Sequence, residues 1–214
     1  MIGVIDYGAG NLGSVMNALK RIGCEGRLVK GPEEISGTKA PGAKAPYEKL
    51  LFPGDGHFAT AMASLEKSGY ADAIREWIQL DKPFLGICIG LQLLFDSSEE
   101  AFPSDAGKPV RGLGIIPGTV KRFPGRKVPQ IGWNQTQARP LSKLFCGLPE
   151  NSFFYYIHSY YTAPADDSVT AAWAEYYVRY CSVVERGALA AVQFHPEKSG
   201  VLGLKLLENW IYAS

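Results

Sequence analysis

Residues 83–95 read PFLGICIGLQLLF. Pro83 to Ile87 is a continuous apolar run of the length expected for a strand buried on both faces. Leu91, Leu94 and Phe95 follow at helical spacing and predict a helix running from just after Cys88 through Phe95. A strand that passes into a helix across a single cysteine, with Gly86 and Gly90 on either side, has the outline of a nucleophile elbow. The flanking glycines leave room where a Cβ would clash. A thiol placed there projects from the edge of a sheet, beside the free N–H groups of a helix start. The same five residues also suit a structural cysteine between two packing glycines, because a buried Cys behaves as a small hydrophobe.

Outward from this stretch the chain alternates strand and helix. Met1 to Asp6 is a short apolar strand entering the glycine-rich turn YGAGN, and Asn11 to Ile22 carries apolar residues at helical spacing, stopped by Gly23. Gly26 to Val29 and Lys49 to Phe52 read as strands, and Ser36 to Pro46 as an exposed loop rich in Gly, Pro, Ala and Lys. Ala59 to Leu80 reads as a helical stretch broken near Gly69. This order predicts an α/β protein with parallel βαβ units. The second half differs. Val110 to Phe123, Lys127 to Trp133, Ser152 to Tyr161 and Val169 to Val184 are rich in β-branched and aromatic residues, and predict strands that are partly antiparallel. Leu189 to Phe194 is a further strand and Leu202 to Tyr212 a last amphipathic helix. With no repeat and no linker, the 214 residues are expected to form one domain, 1–214.

The net charge of +1 gives no electrostatic case for nucleic acid or a membrane surface as partner. No window approaches the ~18 consecutive apolar residues of a membrane span. The four cysteines, Cys24, Cys88, Cys146 and Cys181, are scattered, with no C-x-x-C and no neighbouring His. Neither a metal site nor a disulfide framework is implied, and the start MIGVIDYGAGN lacks the features of an export signal, so a cytoplasmic protein is expected.

A nucleophilic cysteine needs a base and a group to orient it. His195 lies in QFHPE, directly after an apolar strand, with Glu197 two residues on to hold its other ring nitrogen. Alone, H-P-E is an ordinary surface turn. PGDG, residues 53–56, ends another strand; alone it is a common tight turn, and beside Cys88 it is a candidate oxyanion hole. In parallel sheets the loops after the strands gather on one edge, which is where these three motifs are expected to meet. His158, within YYIHSYY, reads as a structural histidine with a hydrogen-bond partner.

GICIG with Gln92, PGDG and QFHPEKS, in this order, resemble the class I (triad) glutamine amidotransferases. DYGAGNLGSV, KVPQIGWN and YYIHSYY resemble one subfamily within them, the glutaminase subunits of imidazole glycerol phosphate synthase, and the resemblance runs from Asp6 to Trp210. It implies a three-layer fold with a mostly parallel central sheet, flanking helices and an additional, partly antiparallel strand region. It further implies that Cys88 is the nucleophile, His195 the acid/base and Glu197 its orienting carboxylate. Gln92, Glu100, Ser159 and Tyr160 fall where the family contacts glutamine. Gly54 and Asp55, with the N–H of Ile89, match the oxyanion site, and Asn11 lies in the turn facing the partner. Asp55 stands where the subfamily commonly has an apolar residue. No cofactor or metal is expected. The implied partner is a (β/α)₈-barrel cyclase subunit, forming a heterodimer that yields imidazole glycerol phosphate and aminoimidazole carboxamide ribotide. The alternatives are the glutaminase of another pathway, or a cysteine hydrolase of the same fold.

Overall fold

A computed structural model of the protein describes residues 1–8, 10–36 and 46–212; the loop read at Ser36 to Pro46 lies, apart from its two ends, outside the described residues. The strands in chain order are β1 (Ile2–Ile5), β2 (Gly26–Val29), β3 (Lys49–Phe52), β4 (Phe84–Ile87), β5 (Phe95–Ser98), β6 (Val110–Arg111), β7 (Ile116–Arg122), β8 (Gln130–Ala138), β9 (Asn151–His158), β10 (Tyr160–Pro164), β11 (Thr170–Tyr176), β12 (Val178–Arg186) and β13 (Leu189–Val192). The helices are α1 (Leu12–Ile22), α2 (Pro32–Ser36), α3 (Phe58–Ser68), α4 (Tyr70–Gln79), α5 (Ile89–Gln92) and α6 (Gly200–Tyr212).

The heart of the sheet is the run β2-β1-β3-β4-β13, parallel throughout. Beyond β13 the sheet continues through β12, β10 and β7 by antiparallel pairs, with β11, β8 and β9 branching from β12. Alternation along each central strand sends successive side chains to opposite faces. Phe52 and Phe84 pack with Phe58, Leu65 and Ile74 of α3 and α4. Val4, Leu51, Leu85 and Val192 pack with Val15, Leu19, Leu206 and Trp210 of α1 and α6. Both faces are therefore covered, giving three layers, and the near-continuous apolar character of PFLGI follows from burial on two sides.

Several local signals act as read. Asn11 caps α1 by accepting the Ser14 N–H, and Gly23 ends it in the left-handed region at φ 80°. Gly69, also at φ 80°, divides α3 from α4. The stretch 169–184 is a hairpin, β11 and β12, that turns at Tyr177. Strand β8 starts later than expected, at Gln130, and continues to Ala138. The helix expected through Phe95 ends instead at Gln92, and Phe95 opens β5. Leu93, Leu94 and Phe95 are all fully buried, so this run has no polar face to carry a helical period, and pairing of β5 with β7 decides its conformation.

The two glycines of GICIG are required by space. A Cβ on Gly86 would lie 2.7 Å from the Gly90 carbonyl oxygen, and one on Gly90 would overlap the Phe52 carbonyl oxygen. The elbow is thus closed directly onto the end of β3. Gly90→Ala must push β3 and α5 apart. A loss of about 1–3 kcal/mol of stability is expected, measured as a lower urea midpoint; an unchanged midpoint would show that this contact gives way freely.

Candidate active site

Cys88 occupies φ 57° and ψ −110°, a conformation rarely adopted by a residue with a side chain. It is fixed from both directions. Its N–H donates to the Val192 carbonyl at 2.8 Å, and its carbonyl accepts from Leu91 and Gln92. Because α5 is only four residues long, the N–H groups of its first turn, and not a long helix dipole, are what the elbow offers a negative charge.

The parallel pairing of β13 with β4, with Val192 opposite Ile87, carries the chain after β13 to the same edge. There His195 is 4% exposed. Its N–H donates to the Tyr155 carbonyl, its carbonyl accepts from Ser199 Oγ, and Ser199 Oγ in turn accepts from the Tyr155 N–H. The H-P-E-K-S turn is therefore fastened to β9 rather than free at the surface. Nδ1 of His195 lies 2.8 Å from Glu197 Oε1, within a side-chain pair that is almost wholly buried. Nε2 is buried without a hydrogen-bond partner among the described residues. Burial disfavours the imidazolium, yet the charge of Cys88 and the carboxylate of Glu197 outweigh it and push the His195 pKa up to about 10. The cysteine acts on the imidazole both through its charge and through a side-chain contact, although Nε2 and the sulfur do not meet ordinary hydrogen-bond geometry.

A cleft of about 320 Å³ opens over these groups, lined by Asp55, Gly56, Cys88, Ile89, Gln92, Glu100, Pro129, Ile157, His158, Ser159, Tyr160, His195 and Lys198. A larger groove of about 1040 Å³ lies between residues 138–150 and α6, but none of the candidate residues reaches it. Convergence of a thiol, a buried base and several polar groups marks the smaller cleft as the site.

The remaining expected residues fall into place unequally. Gln92 is buried, and its amide nitrogen donates to the Tyr160 carbonyl and to Gln193 Oε1, both at 3.0 Å. The amide nitrogen of Gln92 is therefore committed to partners within the protein. Glu100 accepts the Phe58 N–H at 2.8 Å at the start of α3; burial raises its pKa against that bond and the nearby His57. Ser159 and Tyr160 form the opposite wall. Gly54 does not line the cleft. It packs against Ile89, which does, and a Cβ there would overlap the Ile89 side chain and crowd the Tyr7 hydroxyl. The Asp55 carboxylate accepts the Gly10 N–H at 2.9 Å, so it is tied to the first turn of the chain. Asn11 is exposed outside the cleft, its side-chain oxygen used as the α1 cap.

Two other residues at the site, Tyr7 and Gln193, were not foreseen, whereas His158 is the hydrogen-bonded structural histidine expected. Tyr7 buries a hydroxyl with no partner among the described residues, and burial, then Asp55 and Cys88, hold it firmly protonated. Gln193, fully buried, places Nε2 3.8 Å from the Cys88 sulfur. A carboxamide within the apolar run LAAVQF is the sequence signal that marks it. His158 is buried and held neutral, its pKa pulled down to about 4 by burial, with Nδ1 donating to the Tyr160 carbonyl.

The cause of the raised His195 pKa gives a direct check. In Cys88→Ala the favourable influence of the sulfur is gone, while burial still opposes the charge, so the imidazole midpoint falls below about 10. Titration of the His195 ring protons by NMR in both proteins measures it. Equal midpoints would mean that sulfur and imidazole are not coupled.

Residues 3–213 match the family described as class-I glutamine amidotransferase. The chain is 44% identical over 211 residues to the imidazole glycerol phosphate synthase subunit HisH of Dehalococcoides mccartyi strain CBDB1, covering 98% of this chain and 96% of that protein. It is 46% identical over 210 residues to the HisH subunit of Moorella thermoacetica, covering 98% and 93%. Among solved structures, one titled as a glutamine amidotransferase superposes with a TM-score of 0.71 at 19% identity, over 98% of this chain and 96% of the other. PurLQS from Thermotoga maritima gives 0.71 at 17% identity, over 98% and 96%. These two speak to the fold, and the sequence relatives to the family: the chain belongs to the class-I glutamine amidotransferases, as a member of their HisH group.

Proposed function

We propose that this chain is the glutaminase subunit of an imidazole glycerol phosphate synthase, acting as one unit over residues 1–214. The observation that carries the reading is a strained cysteine at a strand–helix elbow, sharing a cleft with a buried, carboxylate-held histidine. The substrate is glutamine. Its α-ammonium group faces Glu100, its carboxylate the backbone at Ser159 and Tyr160, and its side-chain amide the oxygen of Gln92 and the Cys88 sulfur.

The Cys88 thiolate attacks the carboxamide carbon, forming a C–S bond and moving the carbonyl π electrons onto oxygen. The Ile89 N–H and the backbone at Asp55, which lines the cleft just after Gly54, supply donors to that oxyanion. As the intermediate collapses the C–N bond breaks, the leaving nitrogen takes a proton from His195, and ammonia departs. A water molecule then gives its proton to His195 and adds to the thioester. The C–S bond breaks, glutamate leaves, and the thiolate is restored. Glu197 holds one tautomer of His195 throughout and offsets its positive charge.

Ammonia released into neutral water becomes ammonium and is no longer a nucleophile, so a biosynthetic glutaminase benefits from a docked acceptor subunit. Beside the cleft, Ile131, Trp133, Phe153 and Ile157 are exposed on adjacent strands β8 and β9, Ile131 opposite Ile157. Ile157 also lines the cleft, so this apolar face continues from the site. Its occupant is the synthase subunit, a (β/α)₈-barrel cyclase that converts the ammonia into imidazole glycerol phosphate and aminoimidazole carboxamide ribotide. The turn bearing Asn11 and the tied pair Gly10–Asp55 face the same partner. All four cysteines are free thiols, as suits a cytoplasmic enzyme.

In the reconstituted complex, Cys88→Ala is expected to abolish glutamine-dependent synthesis and leave synthesis from added ammonium salts intact. Product formation from each nitrogen source measures this, and retained glutamine use would rule out the nucleophile. Trp133→Asp is expected to weaken binding of the cyclase by tenfold or more, since a buried aromatic anchor typically contributes ≥ ~2 kcal/mol. Sedimentation of the mixed subunits provides the check, and unaltered association would place the interface elsewhere.

A further inference from the structure

Residues 189–194 read LAAVQF, and the carboxamide of Gln193 within this apolar run is fully buried. A buried amide is costly unless its nitrogen and oxygen are both used. Its environment fixes which way it points. The Tyr160 carbonyl can only accept, and it takes the Nδ1–H of His158 at 2.7 Å and an N–H of Gln92 at 3.0 Å. The Gln92 nitrogen thus faces both Tyr160 and Gln193, so the atom of Gln193 that it meets, at 3.0 Å, must be the oxygen. The nitrogen of Gln193 is then turned to Cys88, 3.8 Å from the sulfur.

The arrangement is supported from behind. His158 is neutral, with its proton on Nδ1; the Tyr180 hydroxyl lies 3.3 Å from its Nε2 and donates to Gln130 Oε1 at 3.1 Å. The Tyr160 carbonyl thus accepts from both His158 and Gln92, and from Gln92 the donors run on through Gln193 to the nucleophile. On another side of the sulfur lies the Ile157 carbonyl, 4.0 Å away. A thiol can donate to that oxygen, but a thiolate is repelled by it, so ionised sulfur needs a donor elsewhere.

We propose that Gln193 is a catalytic residue of this centre, whose carboxamide N–H donates to the Cys88 sulfur and stabilises the negative charge on it before attack and again when the thioester breaks. This rests on Cys88 being the nucleophile. Gln193 does not line the cleft, so its effect falls on the reactivity of the sulfur and not on the affinity for glutamine.

Two replacements separate this role from a structural one. Gln193→Glu keeps the shape and the oxygen that Gln92 needs, but loses the amide N–H and, ionised, sets a negative charge beside the sulfur. Gln193→Met loses both. Two rates are measured: alkylation of Cys88 by iodoacetamide in the chain itself, at one pH, and glutamine turnover with the synthase partner. Both variants are expected to lower alkylation and kcat by about tenfold, with KM for glutamine within about twofold, as loss of one donor to a charged group predicts. Near-normal rates in Gln193→Glu with impaired Gln193→Met would assign Gln193 to packing alone and overturn the proposal. So would a raised KM with kcat preserved. Cys88→Ala is assayed beside them. If it still turns over glutamine, the nucleophile assignment itself fails; if it is inactive while both Gln193 variants work normally, only the role of Gln193 is lost.

Discussion

The backbone of Cys88 cannot relax. At φ 57° it carries strain of the order of 1–3 kcal/mol, and the structure around it is built to hold it there. The bond from its N–H to Val192 ties it to β13, the turn of α5 takes its carbonyl, and Gly90 packs so closely on the Phe52 carbonyl that no larger residue fits. The same three contacts decide what surrounds the sulfur. Contact with Phe52 brings in the strand end at Gly54 and Asp55. Pairing with β13 brings in Gln193, the residue after the strand's end, and His195 just beyond it. Strain at the cysteine and assembly of the cleft are two consequences of one packing arrangement.

Electrostatics then follow from burial. Four ionisable or polar groups, Cys88, His195, Glu197 and His158, share a volume with little water, and each has a different solution. Glu197 and His195 face one another at 2.8 Å and His195 is driven toward its charged form. His158, only a few residues along β9 from the strand segment that anchors His195, is instead held neutral by burial, which outweighs its bond to the Tyr160 carbonyl, and the charge of His195 acts in the same direction. Two histidines at one site thus differ in charge because their neighbours differ, which keeps the base distinct from the scaffold. The Asp55 carboxylate is kept out of this balance by its bond to Gly10.

Much of this was legible in the sequence. The strand–helix alternation of the first half, the glycine-flanked Cys88 and the carboxylate two residues after His195 are local patterns with local causes, and each took the form read for it. What escaped was decided by contacts between distant segments. The helix after Cys88 stopped at Gln92 because β5 found a partner in β7, which no periodicity within 88–95 encodes. Gly54 acts through packing against Ile89 rather than by lining the cleft, and only the three-dimensional path of β3 decides between the two. Gln193 was passed over in an apolar run and Tyr7 at the head of a glycine-rich turn; a polar atom buried among hydrophobic residues is a signal whose meaning depends on which atom it faces. The apolar face at Ile131 and Trp133 could be read from sequence as aromatic strand, but not as exposed, because β8 and β9 alternate between a covered and an open side.

The account stands on a covalent glutamyl thioester at Cys88. Rapid acid quenching of the chain during glutamine turnover with its synthase partner, followed by mass spectrometry of the peptides, measures that species directly. The account predicts a glutamyl adduct on the peptide carrying residues 83–95, lost in Cys88→Ala and lost in the wild type when glutamine is replaced by an ammonium salt. Glutamate formation with no adduct there, or with an adduct on Cys24, Cys146 or Cys181 instead, would contradict it.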